Sequence, residues 1–155
     1  MPIKHIWSIL CQRSIIDSQT NNISLLDSLE QVEIVIDQAA SKVDPKVDIV
    51  SAPKALPYQY SLVSFWTRGD EDTKEIINGS IKIQIVDPSG KKIQENNSEV
   101  KIPQGLQRIR NVAKYTHIFV TSSGTYRFRV SMKSKGDIDY EPVAEIPLEV
   151  RLNIK

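Results

Sequence analysis

Residues 122–133 read SSGTYRFRVSMK, and this stretch decides the fold class. Its apolar side chains occupy every second position, and polar or charged side chains stand between them. The apolar positions are Tyr126, Phe128, Val130 and Met132. A period of two residues is typical of a β-strand that packs one face on a core and exposes the other to water. We therefore predict a strand over 125–133, started by the turn at 122–124.

The same period recurs elsewhere in the chain, in segments separated by turn-forming sequences. These segments are 3–11, 58–66, 81–86 and 146–152. The first of them is expected to place five side chains on one face, namely Ile3, His5, Trp7, Ile9 and Cys11. Between the later segments, Asp87-Pro88-Ser89-Gly90 predicts a tight turn, because proline suits its second position and glycine accepts a positive φ.

Short strands separated by turns predict an all-β fold, an antiparallel β-sandwich of the immunoglobulin-like kind or similar. The 155 residues fit a single domain over 1–155. One or two short helices are compatible with this pattern, one of them a helical turn at 70–77. Three prolines, at 45, 53 and 57, predict an irregular, partly extended loop over 44–57.

Residues 24–43 support two interpretations. Apolar side chains spaced by three and four, from Leu25 to Val43, are typical of an amphipathic helix that Ser24 would cap. Yet Val32, Ile34 and Ile36 also alternate, and β-branched residues favour a strand. The periodicity alone leaves both alternatives open.

The segment WSILCQRSIIDSQTNNISLLDSLEQVEI at 7–34, with Ile85–Gly90 and Gly124–Phe128, resembles a widespread family of small, uncharacterised bacterial proteins. The resemblance covers most of the chain in outline, and the insertion at about 37–56 departs from it. It implies a β-sandwich, brings no catalytic residues, and favours strand over helix for 25–36. The pattern Ser122-x-Gly124-x-Tyr126-x-Phe128 is also similar to the tyrosine-corner strand of immunoglobulin-type sandwiches. That likeness implies that the Tyr126 hydroxyl forms hydrogen bonds with the backbone.

The residues that carry chemistry are few. Cys11, His5 and His117 are the thiol and imidazoles of the chain, and along one strand His5 and Cys11 would lie roughly 20 Å apart. We therefore expect a buried Cys11, no catalytic residues and no enzyme. Neither a phosphate loop nor a zinc-ligand spacing occurs, so no cofactor and no metal are expected, although Asp-x-Asp pairs at 70–72 and 137–139 weakly allow calcium.

Location is predicted from three features of the chain. The N-terminal sequence lacks a signal peptide pattern, and no apolar stretch is long enough for a membrane helix. A single cysteine cannot form an internal disulfide. These features predict a cytoplasmic protein without a membrane partner.

Charge is unevenly distributed along the chain. Residues 101–135 contain eight Lys and Arg and no acid, whereas the remainder carries 12 basic against 19 acidic residues, a net −7. Five cations of this window alternate along two predicted strands, namely Arg108, Arg110, Arg127, Arg129 and Lys133. If these strands were adjacent, their side chains would form a stripe that binds phosphates or an acidic protein.

Two observations oppose that stripe. A hairpin between 125–133 and the last strand would set Glu145 and Glu149 against the arginines. Binding of single-stranded nucleic acid requires exposed aromatic side chains among the cations, and none is expected here.

The resulting functional expectation is an interaction module without enzymatic activity. It would bind a protein partner or a second copy of itself through a sheet face or edge. Phe65 and Trp66 point to opposite sides of one strand, so one of them is expected at the surface. The alternative is binding of an anionic ligand or nucleic acid through residues 101–135.

Overall fold

A computed structural model describes residues 2–36, 53–69 and 74–154. These residues contain strands and no helix. The strands are β1 (Ile3–Ile16), β2 (Ile23–Ser28), β3 (Gln31–Ile36), β4 (Lys54–Arg68), β5 (Ile77–Val86), β6 (Lys92–Ile102), β7 (Arg108–Val120), β8 (Gly124–Ser134) and β9 (Glu141–Ile154).

Two sheets pack face to face around one core. The four-stranded sheet has the order β2-β1-β4-β7, and the five-stranded sheet has the order β3-β9-β8-β5-β6. The orders β1-β4-β7 and β9-β8-β5-β6 correspond to strands A-B-E and G-F-C-C′ of an immunoglobulin-type sandwich. The predicted all-β sandwich is therefore confirmed. One pair departs from the antiparallel pattern, because β3 runs parallel to β9.

Residues 23–28 and 31–36 form strands, so the helical alternative is wrong for this part of the chain. In β3 the buried Val32 and Ile36 alternate with the exposed Glu33 and Val35. The period of two prevails because the segment covers the edge of a sheet, where only alternate side chains reach the core.

The predicted insertion at 37–56 lies mostly outside the described residues. Lys54–Leu56 already belong to β4, so its predicted end is wrong by at least three residues. The predicted helical turn at 70–77 includes residues 70–73, which are also outside the described part. Residues 74–76 have no helical structure, and β5 begins at Ile77.

The core forms where aromatic side chains of the two sheets meet. The predicted inward positions of β8 are all buried, with Phe128 only 1% exposed. The Phe128 ring contacts Tyr60 and Tyr115 edge-on, at centroid distances of 6.0 and 6.3 Å. Tyr60 and Tyr115 stack on each other at 4.8 Å. Burial raises the pKa of the Tyr115 hydroxyl to about 12, as expected for a phenol removed from water.

A tyrosine corner joins the two sheets. The Tyr126 hydroxyl accepts hydrogen bonds from the backbone N–H of Thr121 (2.9 Å) and of Ser122 (3.1 Å), and donates to the Ser122 carbonyl (2.7 Å). Gly124 has a φ of +143° and lies so close to Pro88 that a Cβ there would stand 2.9 Å from its ring. The expected role of the Tyr126 hydroxyl is confirmed.

Buried Asp87 connects this corner to the neighbouring turn. Its Oδ1 accepts hydrogen bonds from the backbone N–H and the hydroxyl of Ser89 and from the backbone N–H of Lys91. Its Oδ2 accepts a hydrogen bond from the Thr121 hydroxyl at 3.0 Å. Burial raises the pKa of the Asp87 carboxyl, but the combined effect of these hydrogen bonds is larger and opposite. The pKa therefore lies below its ordinary value.

Replacing Tyr126 by phenylalanine should lower the free energy of unfolding by about 1–3 kcal/mol, because two buried N–H groups lose their acceptor. Chemical denaturation measures the change. Tyr140→Phe is the control, since the Tyr140 hydroxyl makes a single bond to Ser80 at a partly exposed site. Equal stability of Tyr126→Phe and the native protein would contradict the corner's role.

The Asp87→Asn variant should lose stability at neutral pH and should differ less from the native protein in acid. A carboxyl whose folded pKa is depressed stabilises the fold above its ordinary pKa of 3.8, and that contribution is lost as the pH falls through the folded pKa. Denaturation curves from pH 7 down to about pH 2 measure the difference. A difference that stays constant over this range would show that the ionised carboxylate is not the stabilising form.

Candidate partner-binding face

The structure separates the five cations of the predicted stripe. Arg108 and Arg110 lie on β7 of the four-stranded sheet, whereas Arg127, Arg129 and Lys133 lie on β8 of the five-stranded sheet. The corner at 121–123 carries the chain from one sheet to the other, so strands adjacent in sequence are not adjacent in space. The assumption that they form one stripe is therefore wrong, and two separate surfaces have to be considered.

The cations of β8 are compensated by their neighbours. The expected hairpin with β9 is present, and it places Glu145 2.8 Å from Arg127 and 3.7 Å from Arg129. Glu149 pairs with Arg151 at 3.1 Å instead. Lys133 lies over the ring of Tyr140, with its Nζ 4.9 Å from the centroid. These contacts are exposed and stabilise little, but they remove much of the positive field.

The four-stranded sheet has a different charge balance. Its strands β1, β4 and β7 contain no Asp or Glu. They contain seven cations, namely Lys4, Arg13, Lys54, Arg68, Arg108, Arg110 and Lys114. No described carboxylate lies within ion-pair distance of Lys4, Arg108 or Lys114. These three cations are therefore not compensated by any described ion pair.

The outer side of this sheet follows from the register of its strands. Leu62 and Trp66 of β4 point into the core, so the odd-numbered residues between and beside them point outward. Across β1, β4 and β7 the outward residues form four rows: Lys4–Thr67–Arg108, Trp7–Phe65–Arg110, Ile9–Val63–Val112 and Cys11–Ser61–Lys114. We call these rows the basic face. Cations lie along β7. In its apolar centre Trp7, Ile9, Phe65 and Val112 are partly exposed, whereas Val63 and Cys11 are fully buried.

A β-bulge in β1 creates the apolar centre. The pairing of β1 with β4 shifts between His5 and Trp7, and the extra residue, Ile6, is 43% exposed. Ile3 therefore packs in the core, whereas Trp7, Ile9 and Cys11 turn outward. The expectation that 3–11 presents a single uninterrupted face is wrong, because a bulge reverses the alternation beyond it.

Two aromatic rings lie at the centre of the basic face. Trp7 and Phe65 contact each other with a centroid distance of 5.5 Å and an angle of 36°, and both are partly exposed. Trp66 is fully buried, so Phe65 is the surface member of the Phe65–Trp66 pair. Phe65 is in register with Arg110. Two aromatic side chains therefore lie near the cations of β7, and both are partly exposed rather than fully exposed.

Arg110 also holds the tip of the β1–β2 hairpin. Its guanidinium donates to the carbonyl of Asn21 (2.7 Å) and to the Asn21 Oδ1 (2.9 Å). Cys11, where β1 leaves β4, lies opposite Lys114, four residues along β7 from Arg110. The hairpin beyond Cys11 must therefore fold back across the basic face to reach Arg110. The Asp17 carboxylate accepts the N–H of Gln19 and of Thr20, which orders this tip.

The thiol and imidazole groups form no catalytic pair. Cys11 is fully buried, as expected, and burial raises the pKa of its thiol. His5 contacts Ser8 at 2.7 Å, and burial lowers the pKa of its imidazole. The bulge places His5 on the inner side and Cys11 on the outer side, so they cannot act together. His117 is exposed and contacts the Thr116 hydroxyl.

The described part of the chain contains no metal-binding cluster. No group of three or more His, Cys, Asp or Glu side chains is placed there to hold a metal ion. Asp137 and Asp139 lie in the β8–β9 loop, while residues 70–72 are outside the described ranges. Nor does any described segment form a helix long and apolar enough to span a membrane.

The comparisons with known proteins assign no family to this chain. No protein-family model matches the chain, and no curated protein is significantly similar to it. An immunoglobulin-like protein from Pseudomonas aeruginosa, known from a crystal structure, is similar over 96% of both chains at 14% identity, with a TM-score of 0.38. The assignment as a sandwich rests on the chain's own strand order and tyrosine corner.

Replacing Glu145 by glutamine should strengthen retention on heparin more than replacing Glu149 by glutamine. Each change removes one negative charge, but the first uncovers two arginines and the second only one. Elution salt concentration from a heparin column measures the effect. Equal shifts for the two variants would contradict the local compensation of Arg127 and Arg129.

Proposed function

We propose that this protein is a non-enzymatic interaction module that binds an acidic protein partner through its basic face. The observation that carries the proposal is the row Trp7–Phe65–Arg110, in which two partly exposed aromatic rings lie beside a cation on three strands that contain no Asp or Glu. Aromatic residues and arginine are enriched in protein interfaces, where they supply most of the binding energy.

The apolar centre of the basic face supports a protein partner over nucleic acid. Ile9 and Val112 are partly exposed beside the two rings, and they offer surface that a partner's apolar side chains could bury. Nucleic-acid platforms present ring faces on which bases stack. Here Trp7 and Phe65 pack against each other, which leaves less ring surface for stacking.

Charge supports an acidic partner over a second copy of the chain. A two-fold dimer through this face would bring Arg108 and Lys114 of one copy near the same residues of the other, and like charges repel. An acidic partner would instead be attracted by cations that no described carboxylate compensates. We place this binding in the cytoplasm, in keeping with a lone cysteine that is a free, buried thiol.

The test is an affinity pull-down of the tagged full chain from its native host, split into nuclease-treated and untreated halves and analysed by mass spectrometry. An acidic protein should be recovered in both halves. Arg108→Glu should reduce its recovery by at least about tenfold, since a charge reversal in an interface opposes the partner's own charge. Lys101→Glu is the matched control, because it makes the same charge change on β6 of the other sheet.

Two results would contradict the proposal. Recovery unaffected by Arg108→Glu would show that the partner binds elsewhere. Loss of every protein after nuclease treatment, with nucleic acid recovered in the untreated half, would favour the anionic-ligand alternative instead.

A further inference from the structure

The outer edge of β7 is a long strand edge that has no neighbour among the described strands. β7 spans 13 residues and is the last strand of its sheet, bonded to β4 on one side. No other described strand pairs with it. Immunoglobulin-type sandwiches place a D strand next to strand E at this position. In this chain β6 runs into β7 through residues 103–107 alone, which form no strand.

A buried arginine holds that short connection in place. Arg68 is 3% exposed, and its guanidinium donates to the carbonyls of Leu106 (2.6 Å), Pro103 (2.7 Å) and Ile102 (3.4 Å). The Arg68 backbone N–H also donates to the Gln107 carbonyl at 3.0 Å. These bonds direct the carbonyls of the connection toward Arg68 of β4, and none of them involves the outer edge of β7.

The other edges of the two sheets are less suited to an incoming strand. β2 and β3 have only six residues each. β6 is long but carries both charges, and its Glu95 is already paired with Lys92 and bonded to Gln84. Charges of both signs protect an edge from nonspecific pairing. Among the edge strands that the structure describes, only β7 combines length with charges of a single sign.

We propose that the edge of β7 takes up an extended segment of the partner as an additional antiparallel or parallel strand, and that this segment alternates acidic and apolar residues. The inference rests on the proposed function and specifies the partner. Strand addition is a known mode of recognition in which main-chain bonds give affinity and alternate side chains give specificity. On the outer side the segment would meet Arg108 and Lys114, and on the inner side Ile109 and Ala113.

The inner side of β7 explains the apolar half of that alternation. Ile109 and Ala113 pack against the core but are only partly buried, because no strand lies beyond them in the described sheet. Apolar side chains of an added strand would cover them and extend the core. A second copy of β7 is a poor occupant, since antiparallel self-pairing would set cations of both strands side by side.

The experiment uses the full chain and synthetic peptides of about ten residues in which glutamate alternates with valine. One peptide is unmodified, and its matched control carries N-methyl groups on successive backbone nitrogens, which keeps side chains and charge but removes hydrogen-bond donors. Fluorescence anisotropy measures the dissociation constants. Hydrogen exchange followed by mass spectrometry measures protection of 108–120, with the edge strand at 92–102 as internal control.

The expected result is that N-methylation weakens binding by at least about tenfold, since several main-chain bonds are lost together. The unmodified peptide should protect 108–120 but not 92–102. Lys114→Glu should weaken its binding, and Lys101→Glu should not.

Two results would overturn strand addition. In the first, both peptides bind equally well and Arg108→Glu weakens the binding of both. This would show that the peptides bind through the charge of the basic face and not through main-chain bonds to the edge of β7, and the proposed function would stand. In the second, neither peptide binds, although the same protein still recovers its partner in the pull-down. This would also overturn strand addition. If the pull-down recovers no acidic protein at all, that result counts against the proposed function and not against strand addition alone.

Discussion

The hydrogen bonds of the Tyr126 hydroxyl to the corner at 121–122 are the constraint on which the charge pattern of the molecule depends. This corner takes the chain from β7 in one sheet to β8 in the other. Asp87 reinforces it through Thr121, so the two turns at this end of the sandwich form one bonded unit. Because the crossing occurs inside the basic window, it divides one continuous run of positive charge between two opposite surfaces.

The two halves of that run then have different surroundings. On β8 the arginines meet Glu145 of β9, and the hairpin brings opposite charges together along its length. On β7 the neighbouring strand is β4, which has no acid, and beyond it β1 has none either. Identical residue types separated by a short corner therefore differ in what they can bind. The difference comes from strand order, not from the residues themselves.

Much of the fold could be predicted from local sequence. The alternation in β8, its hairpin with β9 and the Tyr126 corner each depend on residues close along the chain, so their patterns can be interpreted directly. Two features could not be predicted in this way. The sheet to which β7 belongs is decided by pairing with β4, about fifty residues earlier. The bulge at Ile6 leaves no composition signal, yet it turns Trp7 outward and creates the apolar centre of the candidate site.

The segregation of charge between the sheets also affects what happens before any contact is made. With a net charge of only +1, the molecule has almost no monopole to attract a partner from a distance. Among the described strands, six of the seven carboxylates lie on the five-stranded sheet, whereas Lys and Arg are equally numerous on both sheets, so the described part of the molecule has a dipole across the sandwich. A dipole rotates the molecule in the field of an acidic surface, so productive encounters become a larger share of collisions at low ionic strength. Association would then be limited by orientation, and its rate would fall steeply as salt is added.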